Sequence, residues 1–194
     1  MSANEDAPPS AAADLEQLMV CYQRGDAEAA RSLVDSLSAR LYVFFSSQTG
    51  SRADADDMLQ EVWLRIHKGR HTYRPGEPLL PWVYSIARRV RVDNYRRQSR
   101  IARREVATDA LPEPAAASGS AADPPSFAQL VAPLPESQRE VLTMLKVNGL
   151  TVEEVARVTA STVGSVKQKV HRAYERLRAL LTETAGRPGT GELQ

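Results

Sequence analysis

The stretch LPESQREVLTMLKVNGLTVEEVARVTASTVGSVKQKVHRAYERLRALL, residues 134–181, decides the fold. Its first helix ends at an Asn-Gly pair (148–149), which typically closes a helix. Thr151 and Glu154 then have the spacing of a capping box, which predicts the start of a second, short helix. A short turn separates this helix from a longer one that begins at Val163. A short helix, a tight turn and a longer helix are together typical of a helix-turn-helix domain.

The long helix of this stretch has one apolar and one polar face. Its predicted buried stripe is formed by Val166, Val170, Ala173, Leu177 and Leu181. Its outer face carries Ser165, Lys167, Gln168, His171, Arg172 and Arg176. Side chains of these kinds reach base edges and phosphates in a major groove, although a solvated helix face is the ordinary alternative. The turn spacing and the absence of acids from 163 to 174 favour DNA, whereas Ala160 stands where such turns often have a left-handed glycine.

A second basic helix is predicted upstream, at WVYSIARRVRVDNYRRQSR (82–100). Eight arginines and a single acid, Asp93, lie between residues 88 and 104. The aromatic residues in and near this segment are Tyr73, Trp82, Tyr84 and Tyr95. Rings stack on unpaired bases while arginines neutralise the backbone, so the combination favours single-stranded nucleic acid. The alternative assigns Trp82 to the core and the tyrosines to an ordinary amphipathic surface, but we expect Tyr84 and Tyr95 to lie off the buried stripe.

The rest of the chain extends this all-α pattern. Three helices precede the basic helix; they begin at Asp14, Ala27 and about Asp54. Three prolines and a glycine in HTYRPGEPLLP (71–81) argue against any helix there. Segments rich in alanine, proline and serine predict disorder or a flexible tether. The predicted organisation is two small helical domains: a disordered extension at 1–13, a first helical domain at 14–102, a flexible linker at 103–125, a helix-turn-helix domain at 126–182 and a tail at 183–194.

The outer face of the third helix combines acids with an exposed leucine: Asp57, Gln60, Glu61 and Leu64. Carboxylates spaced by one helical turn could bind a divalent ion, as in a nuclease, but no histidine or further acid cluster completes such a site. A solvated face is the ordinary alternative. An apolar residue surrounded by polar ones fits a protein docking surface better than either.

Composition narrows the class of protein further. The 194 residues include 25 basic and 24 acidic side chains, so any nucleic-acid binding must come from local charge. The single cysteine excludes an internal disulfide and a cysteine-based zinc site, and we expect no cofactor or metal. There is no apolar run of the roughly 20 residues that span a bilayer. The acidic N-terminus does not resemble a signal peptide, so a cytoplasmic location is expected.

Two stretches of the chain match a known family. Residues 54–100 (DADDMLQEVWLRIHKGRHTYRPGEPLLPWVYSIARRVRVDNYRRQSR) resemble regions 2.2 to 2.4 of the extracytoplasmic-function (ECF) group of sigma-70-type RNA polymerase sigma factors. Residues 134–181 are similar to region 4 of the same group. Either match alone is moderately specific, whereas both together, in this order and separated by a variable tether, are highly specific. The resemblance implies a transcription initiation factor without catalysis of its own, which brings core RNA polymerase to promoters and helps to melt them.

The resemblance also implies roles for particular residues. It implies that the residues that dock on the clamp helices of the largest polymerase subunit are Asp57, Gln60, Glu61, Leu64 and Arg65. It implies that the residues that bind the opened DNA of the minus-ten element are Tyr73, Arg74, Trp82, Tyr84, Arg88, Arg91, Tyr95, Arg96 and Arg97. It implies that the residues that recognise the minus-thirty-five element in duplex DNA are Ser165, Lys167, Gln168, His171, Arg172 and Arg176. Region 4 is further implied to grip the flap of the second-largest subunit.

Regulation and location follow from the same resemblance. The family is commonly held inactive by an anti-sigma factor, often membrane-bound, so such a partner is expected here, without membrane insertion of the chain itself. Three rival classes remain: a stand-alone helix-turn-helix regulator, which usually has a dimer seam; a metal-dependent nuclease or recombinase; and an inhibitor that mimics a sigma factor but lacks the arginine–tyrosine helix.

Overall fold

The computed structural model describes residues 11–106 and 126–185, and over these ranges all regular structure is helical. A 3₁₀ turn covers Arg70–Thr72. The α-helices are α1 (Ala11–Gln23), α2 (Ala27–Gln48), α3 (Arg52–Gly69), α4 (Leu79–Val106), α5 (Phe127–Val131), α6 (Glu136–Lys146), α7 (Val152–Val158) and α8 (Val163–Ala185). The all-α prediction is confirmed. Most of the predicted extension (1–13), linker (103–125) and tail (183–194) lies outside the described residues, although α1, α4 and α8 continue a few residues into them.

The N-terminal lobe (α1–α4) is built around α2. Asp26 begins this helix by accepting backbone hydrogen bonds from the first turn, and Ser51 caps α3 in the same way. Helix α2 packs against α1 and α3, and α3 packs against α4. The buried apolar residues of α2 recur at helical spacing: Ala29, Leu33, Leu37, Leu41, Phe44 and Phe45. The lobe therefore has a hydrophobic core of its own, and α4 packs against it.

Helix α4, the basic helix, begins earlier than the sequence indicates. Its first residue is Leu79, so Pro81 lies in the first turn. A proline is tolerated there because the first backbone N–H groups of a helix have no intrahelical partner in any case. The expectation of no helix across 71–81 is therefore wrong at both ends, since Thr72 also belongs to the 3₁₀ turn.

The C-terminal lobe (α5–α8) contains the predicted helix-turn-helix. The capping box at the start of α7 is confirmed: the backbone N–H of Thr151 donates to Glu154 Oε2 at 2.7 Å, and the Glu154 N–H donates to Thr151 Oγ1 at 3.2 Å. A second capping box, formed by Ser126 and Gln129, starts the short helix α5 and was not predicted. Helices α6, α7 and α8 pack against one another.

The turn between α7 and α8 contains a left-handed alanine. Ala160 has φ of 50°, in the region that favours glycine. A non-glycine residue in this conformation costs about 1–2 kcal/mol. The turn therefore has the left-handed backbone that a glycine usually provides at this position, and here an alanine adopts it despite the strain.

Ala160→Gly should raise the free energy of unfolding by about 0.5–1 kcal/mol, because relief of the left-handed strain exceeds the extra entropy of glycine in the unfolded chain. Urea denaturation followed by circular dichroism measures the change. Ala179→Gly, on the exposed surface of α8, is the control and should lower stability by about 1 kcal/mol. Equal destabilisation by both substitutions would contradict the strain at Ala160.

The two lobes pack against each other. Helix α6 contacts α2, α5 contacts α2, and α7 contacts α4. Ser47 on α2 and Thr143 on α6 are both buried, and their side-chain oxygens lie 3.1 Å apart. One contiguous cluster of buried apolar residues includes members of both lobes. The sequence suggested two bodies separated by a tether, and the structure brings them together through a shared core.

Candidate functional surfaces

The predicted docking residues of α3 line a groove between α3 and α4, called here the acidic groove. The structure brings together Asp57, Gln60, Glu61, Leu64 and Arg65, and from α4 it adds Val90, Asp93, Asn94 and Arg97. Leu64 is 54% exposed in this setting and is surrounded by polar and charged side chains. The groove therefore has the composition of a protein docking surface, with an apolar contact inside a polar rim.

Arg65 organises the acidic groove. Its Nε lies 2.7 Å from Glu61 Oε1 and its Nη1 lies 2.7 Å from Asp93 Oδ2. The hydrogen bond with Asp93 is the main reason that the pKa of Arg65 is raised, with Glu61 adding to the effect. Arg65 is thus held between two carboxylates of different helices, and this leaves the neighbouring Leu64 as the projecting contact.

The predicted DNA-reading residues of α8 form one accessible surface, called here the reading face. Ser165 is half-buried, and the other five residues of the set are exposed: Lys167, Gln168, His171, Arg172 and Arg176. Val166 and Ala173 are buried, as predicted, whereas Leu181, predicted to be buried, is 63% exposed. Glu175 lies 3.1 Å from His171 Nε2 and introduces an acid at the edge of this basic surface.

The basic helix and the loop before it present only part of the predicted strand-binding set. Arg74, Tyr95, Arg96 and Arg97 are exposed, and Tyr95 shows 63% of its surface. Trp82 is half-buried, with its ring edge-on to Tyr73 at 5.7 Å between centroids. These residues line different parts of the surface: Arg74 and Trp82 share one cavity, Tyr95 lies beside Glu136 and Arg139 of α6, and Arg97 also lines the acidic groove.

Two tyrosines of the predicted set are core residues, so the expectation that they stack on bases is wrong for this conformation. Tyr84 is fully buried and packs edge-on against Phe44, with centroids 5.5 Å apart. Burial raises its pKa, and its hydroxyl has no hydrogen-bond partner among the described residues. Tyr73 is only 3% exposed, and its hydroxyl donates to the Glu77 carbonyl oxygen at 2.6 Å. Neither ring has a free face.

Arg88 and Arg91 are engaged in ion pairs and are not available for DNA in this conformation, which corrects a second part of the predicted strand-binding set. Arg88 Nε lies 3.1 Å from Glu140 Oε1, and Arg91 Nη2 lies 3.2 Å from the same oxygen. Arg91 also pairs with Glu136. Burial lowers the pKa of Arg91, and the attraction of Glu140 opposes this shift only in part. Both acids belong to α6, so sequence analysis of α4 alone did not identify them.

Within the described ranges, no helix has both the length and the apolar character needed to cross a membrane.

Comparisons with known proteins identify the family of the chain. Residues 33–101 match the family described as Sigma-70 region 2, and residues 126–177 match Sigma-70, region 4. The chain is 29% identical over 169 residues to the RNA polymerase sigma factor CarQ of Myxococcus xanthus, which covers 84% of this chain and 94% of CarQ. It is 32% identical over 149 residues to the ECF RNA polymerase sigma factor EcfG of Rhodopseudomonas palustris, covering 73% of this chain and 78% of EcfG.

A solved structure shows the same fold. The sigma factor RpoE, in complex with the anti-sigma factor NepR from Bartonella quintana, superposes with a TM-score of 0.63 at 22% identity, covering 78% of this chain and 96% of RpoE. Two lobes with these sequence matches define a sigma-70-type factor of the region 2 plus region 4 kind. The chain belongs to the ECF group of RNA polymerase sigma factors, and it is a transcription initiation factor.

Proposed function

We propose that this sigma factor divides its work between its two lobes and carries out no catalysis itself. The N-terminal lobe docks on core RNA polymerase through the acidic groove and holds the opened DNA strand along the basic helix. The C-terminal lobe reads duplex DNA through the reading face. The observation that carries the proposal is that the acidic groove and the reading face are both accessible, on different lobes of one chain.

The acidic groove is suited to a helical partner. Leu64 supplies an apolar contact, and Asp57, Gln60 and Glu61 surround it with hydrogen-bonding and charged groups. Interfaces combine such a core and rim, and a few central residues supply most of the affinity. We assign this groove to the clamp helices of the largest polymerase subunit, and the apolar parts of the C-terminal lobe to the flap of the second-largest subunit.

The reading face is suited to the minus-thirty-five element. Lys167, Arg172 and Arg176 can pair with phosphates or guanine, and Gln168 can pair with adenine in the major groove. The start of α8 is held by Thr162, whose Oγ1 accepts the Ser165 backbone N–H at 3.1 Å. A capped, rigid helix of this kind can be inserted into the groove as a unit.

The minus-ten surface is redefined by the structure. We assign strand contacts to the exposed residues Arg74, Tyr95, Arg96 and Arg97 and to the half-buried Trp82, whereas Tyr73 and Tyr84 support the surface from beneath. Removing a base from the stack costs a few kcal/mol, and stacking on an aromatic side chain returns about 1–3 kcal/mol per base. Arginine–phosphate contacts add affinity that falls steeply with salt. Arg88 and Arg91 join this surface when their α6 partners are withdrawn.

Control by an anti-sigma factor is the third part of the proposal. The RpoE structure contains such a partner, NepR. We infer that a related partner holds this chain inactive in the cytoplasm or, if the partner is membrane-bound, at the membrane face.

Reconstitution tests the proposed function. Purified chain and core polymerase are incubated with a panel of promoter fragments, and run-off transcripts are measured. We expect defined transcripts that depend on the chain, together with co-elution of chain and polymerase. The absence of both would contradict the proposal.

A further inference from the structure

The last side chain of α1 reaches across to the loop before the basic helix. Gln23 ends α1, and its Nε2 lies 2.7 Å from the carbonyl oxygen of Arg70 and 2.8 Å from that of Tyr73. The amide nitrogen of a glutamine carries two hydrogens, so one side chain can donate to both carbonyl groups at once. Gln23 therefore fixes two points of residues 70–78, called here the strand loop, which lie 47 and 50 residues away along the chain.

The backbone that carries Gln23 is itself held in place. Directly after α1 the chain turns sharply, and the Gly25 N–H donates to the Tyr22 carbonyl oxygen at 3.0 Å. Gly25 has φ of 94°, which favours glycine, and Asp26 then caps α2. Gln23 thus belongs to a short, hydrogen-bonded connection between two helices, which gives its side chain a rigid base.

Tyr22, the neighbour of Gln23, contacts the same region from the side of α3. Its hydroxyl lies 2.7 Å from His67 Nδ1, near the end of α3. The Arg70 guanidinium lies 5.7 Å from the centroid of the Tyr22 ring, and a cation at this distance from an aromatic face is attracted to it. The last two residues of α1 therefore both hold the start of the strand loop.

The strand loop in turn positions the wall of a cavity. Tyr73 is buried, its hydroxyl donates to the Glu77 carbonyl oxygen, and its ring packs edge-on against Trp82 with centroids 5.7 Å apart. Trp82, Thr72 and Arg74 line a cavity of about 350 Å³, most of whose lining comes from the N-terminal lobe. Small-ligand sites begin at about 300 Å³, so the cavity is large enough for one unstacked base. A shift of the Tyr73 backbone would move the ring that supports Trp82.

We propose that Gln23 is a positioning residue for base capture: it holds the backbone of the strand loop so that the Trp82 ring stays where an unstacked base of the minus-ten element can stack on it. The inference rests on the proposed function of Trp82 in strand binding. Gln23 itself contacts no base and acts through Tyr73. Its contribution is preorganisation, because a loop that already has its bound shape loses less conformational freedom when the base binds.

The chemistry of the contact determines which side chains can replace Gln23. Methionine has a similar length and volume but no donor, so Gln23→Met leaves both carbonyl oxygens without this partner. Glutamate has the same shape, but its carboxylate only accepts hydrogen bonds and would face two carbonyl oxygens. The lysine ammonium group has three donors on a stem long enough to reach both carbonyl groups, so Gln23→Lys should retain the contact.

The test measures how much one base contributes to strand binding. The probes are fluorescein-labelled single strands of the minus-ten segment of a promoter that the reconstituted holoenzyme transcribes, each with one base replaced by an abasic residue. Anisotropy gives their affinities for holoenzyme. With the parent chain, loss of the captured base should weaken binding by about five- to 150-fold, called here the base factor. Gln23→Met and Gln23→Glu should each reduce the base factor by about threefold or more, whereas Gln23→Lys should keep it within about twofold.

Controls separate positioning from charge and from stability. Gln17→Met alters an exposed glutamine of the same helix and should leave the base factor unchanged. The added charge of Gln23→Lys acts on intact and abasic strands alike, so it does not change their ratio. Thermal unfolding is measured for each variant. A lower melting temperature of Gln23→Met with an unchanged base factor would show that Gln23 only stabilises the fold, and would overturn the inference.

Failure of the inference is distinguishable from failure of the proposed function. If no abasic substitution weakens binding to the parent holoenzyme, the strand loop captures no base, and the proposed role of this surface fails together with the inference. If the parent has a base factor that all three Gln23 variants retain, strand capture stands and only the positioning role is refuted. Equal loss in all three variants, Gln23→Lys included, would contradict the two hydrogen bonds as the cause.

Discussion

Truncation of Asp57 and Leu64 to alanine together should weaken binding of the chain to core RNA polymerase by about ten- to a hundredfold. Leu64 is the exposed apolar contact of the acidic groove, and Asp57 lies on the rim of the same groove. Central interface residues of this kind each contribute about 1–2 kcal/mol or more when truncated. Because both side chains are exposed, the double variant should fold with unchanged stability, so the loss is specific to docking. Fluorescence titration of labelled chain with core polymerase measures the affinity.

The matched control for this variant is Asp56→Ala with Val34→Ala. Asp56 is an exposed acid on the same helix but does not line the groove, and Val34 is a 39% exposed apolar residue of the same lobe. The control should bind polymerase as the parent chain does. Unchanged affinity of the Asp57 and Leu64 variant, or equal losses in both double variants, would show that polymerase docks on another face.

Arg172→Ala should reduce promoter discrimination by about 1–3 kcal/mol, roughly a 5- to 150-fold loss of preference for an intact over a scrambled minus-thirty-five element. Arg172 is exposed at the centre of the reading face, and it carries no ion pair within the described residues. The acidic groove is on the other lobe, so affinity for core polymerase should not change. Competitive run-off transcription between the two promoter versions, with holoenzyme assembled beforehand, measures the preference.

Arg178→Ala is the control for the reading face. Arg178 is an exposed cation of the same helix, six residues further along, outside the predicted set. Its loss should lower affinity for both promoter versions equally and leave the preference intact. Equal loss of preference in the two variants would contradict a base-reading role for Arg172, and parallel loss of polymerase binding would show that α8 contributes to docking.

Local signals in the sequence were sufficient for much of the fold. The helix-turn-helix was predictable because its determinants lie within a few residues of one another: the Thr151–Glu154 capping box and the left-handed turn at Ala160 are properties of the local backbone. The acidic groove was predictable for a similar reason, since its first members, including Leu64, lie on one face of α3. Its second wall, from α4, depends on tertiary packing.

The failures occur where contacts join distant parts of the chain. The apolar residues of α4 indicated one buried stripe, but the helix is covered on two sides, by the core of its own lobe and by α6 and α7. Tyr84 is therefore enclosed against Phe44, and Arg91 is enclosed against Glu140. Helical periodicity within α4 does not report either partner, because both lie about 40 to 50 residues away along the chain.

The central claim is that the N-terminal lobe holds the opened strand while the C-terminal lobe reads duplex DNA. Site-specific photo-crosslinking tests it most directly, with benzoylphenylalanine in place of Trp82 or of Gln168 in reconstituted holoenzyme on a promoter fragment. The account predicts that the probe at position 82 crosslinks to the non-template strand of the minus-ten element only in complexes that have opened, and that the probe at 168 crosslinks to upstream duplex before and after opening. Crosslinks from both positions to the same duplex segment, or crosslinks from position 82 that do not depend on opening, would contradict it.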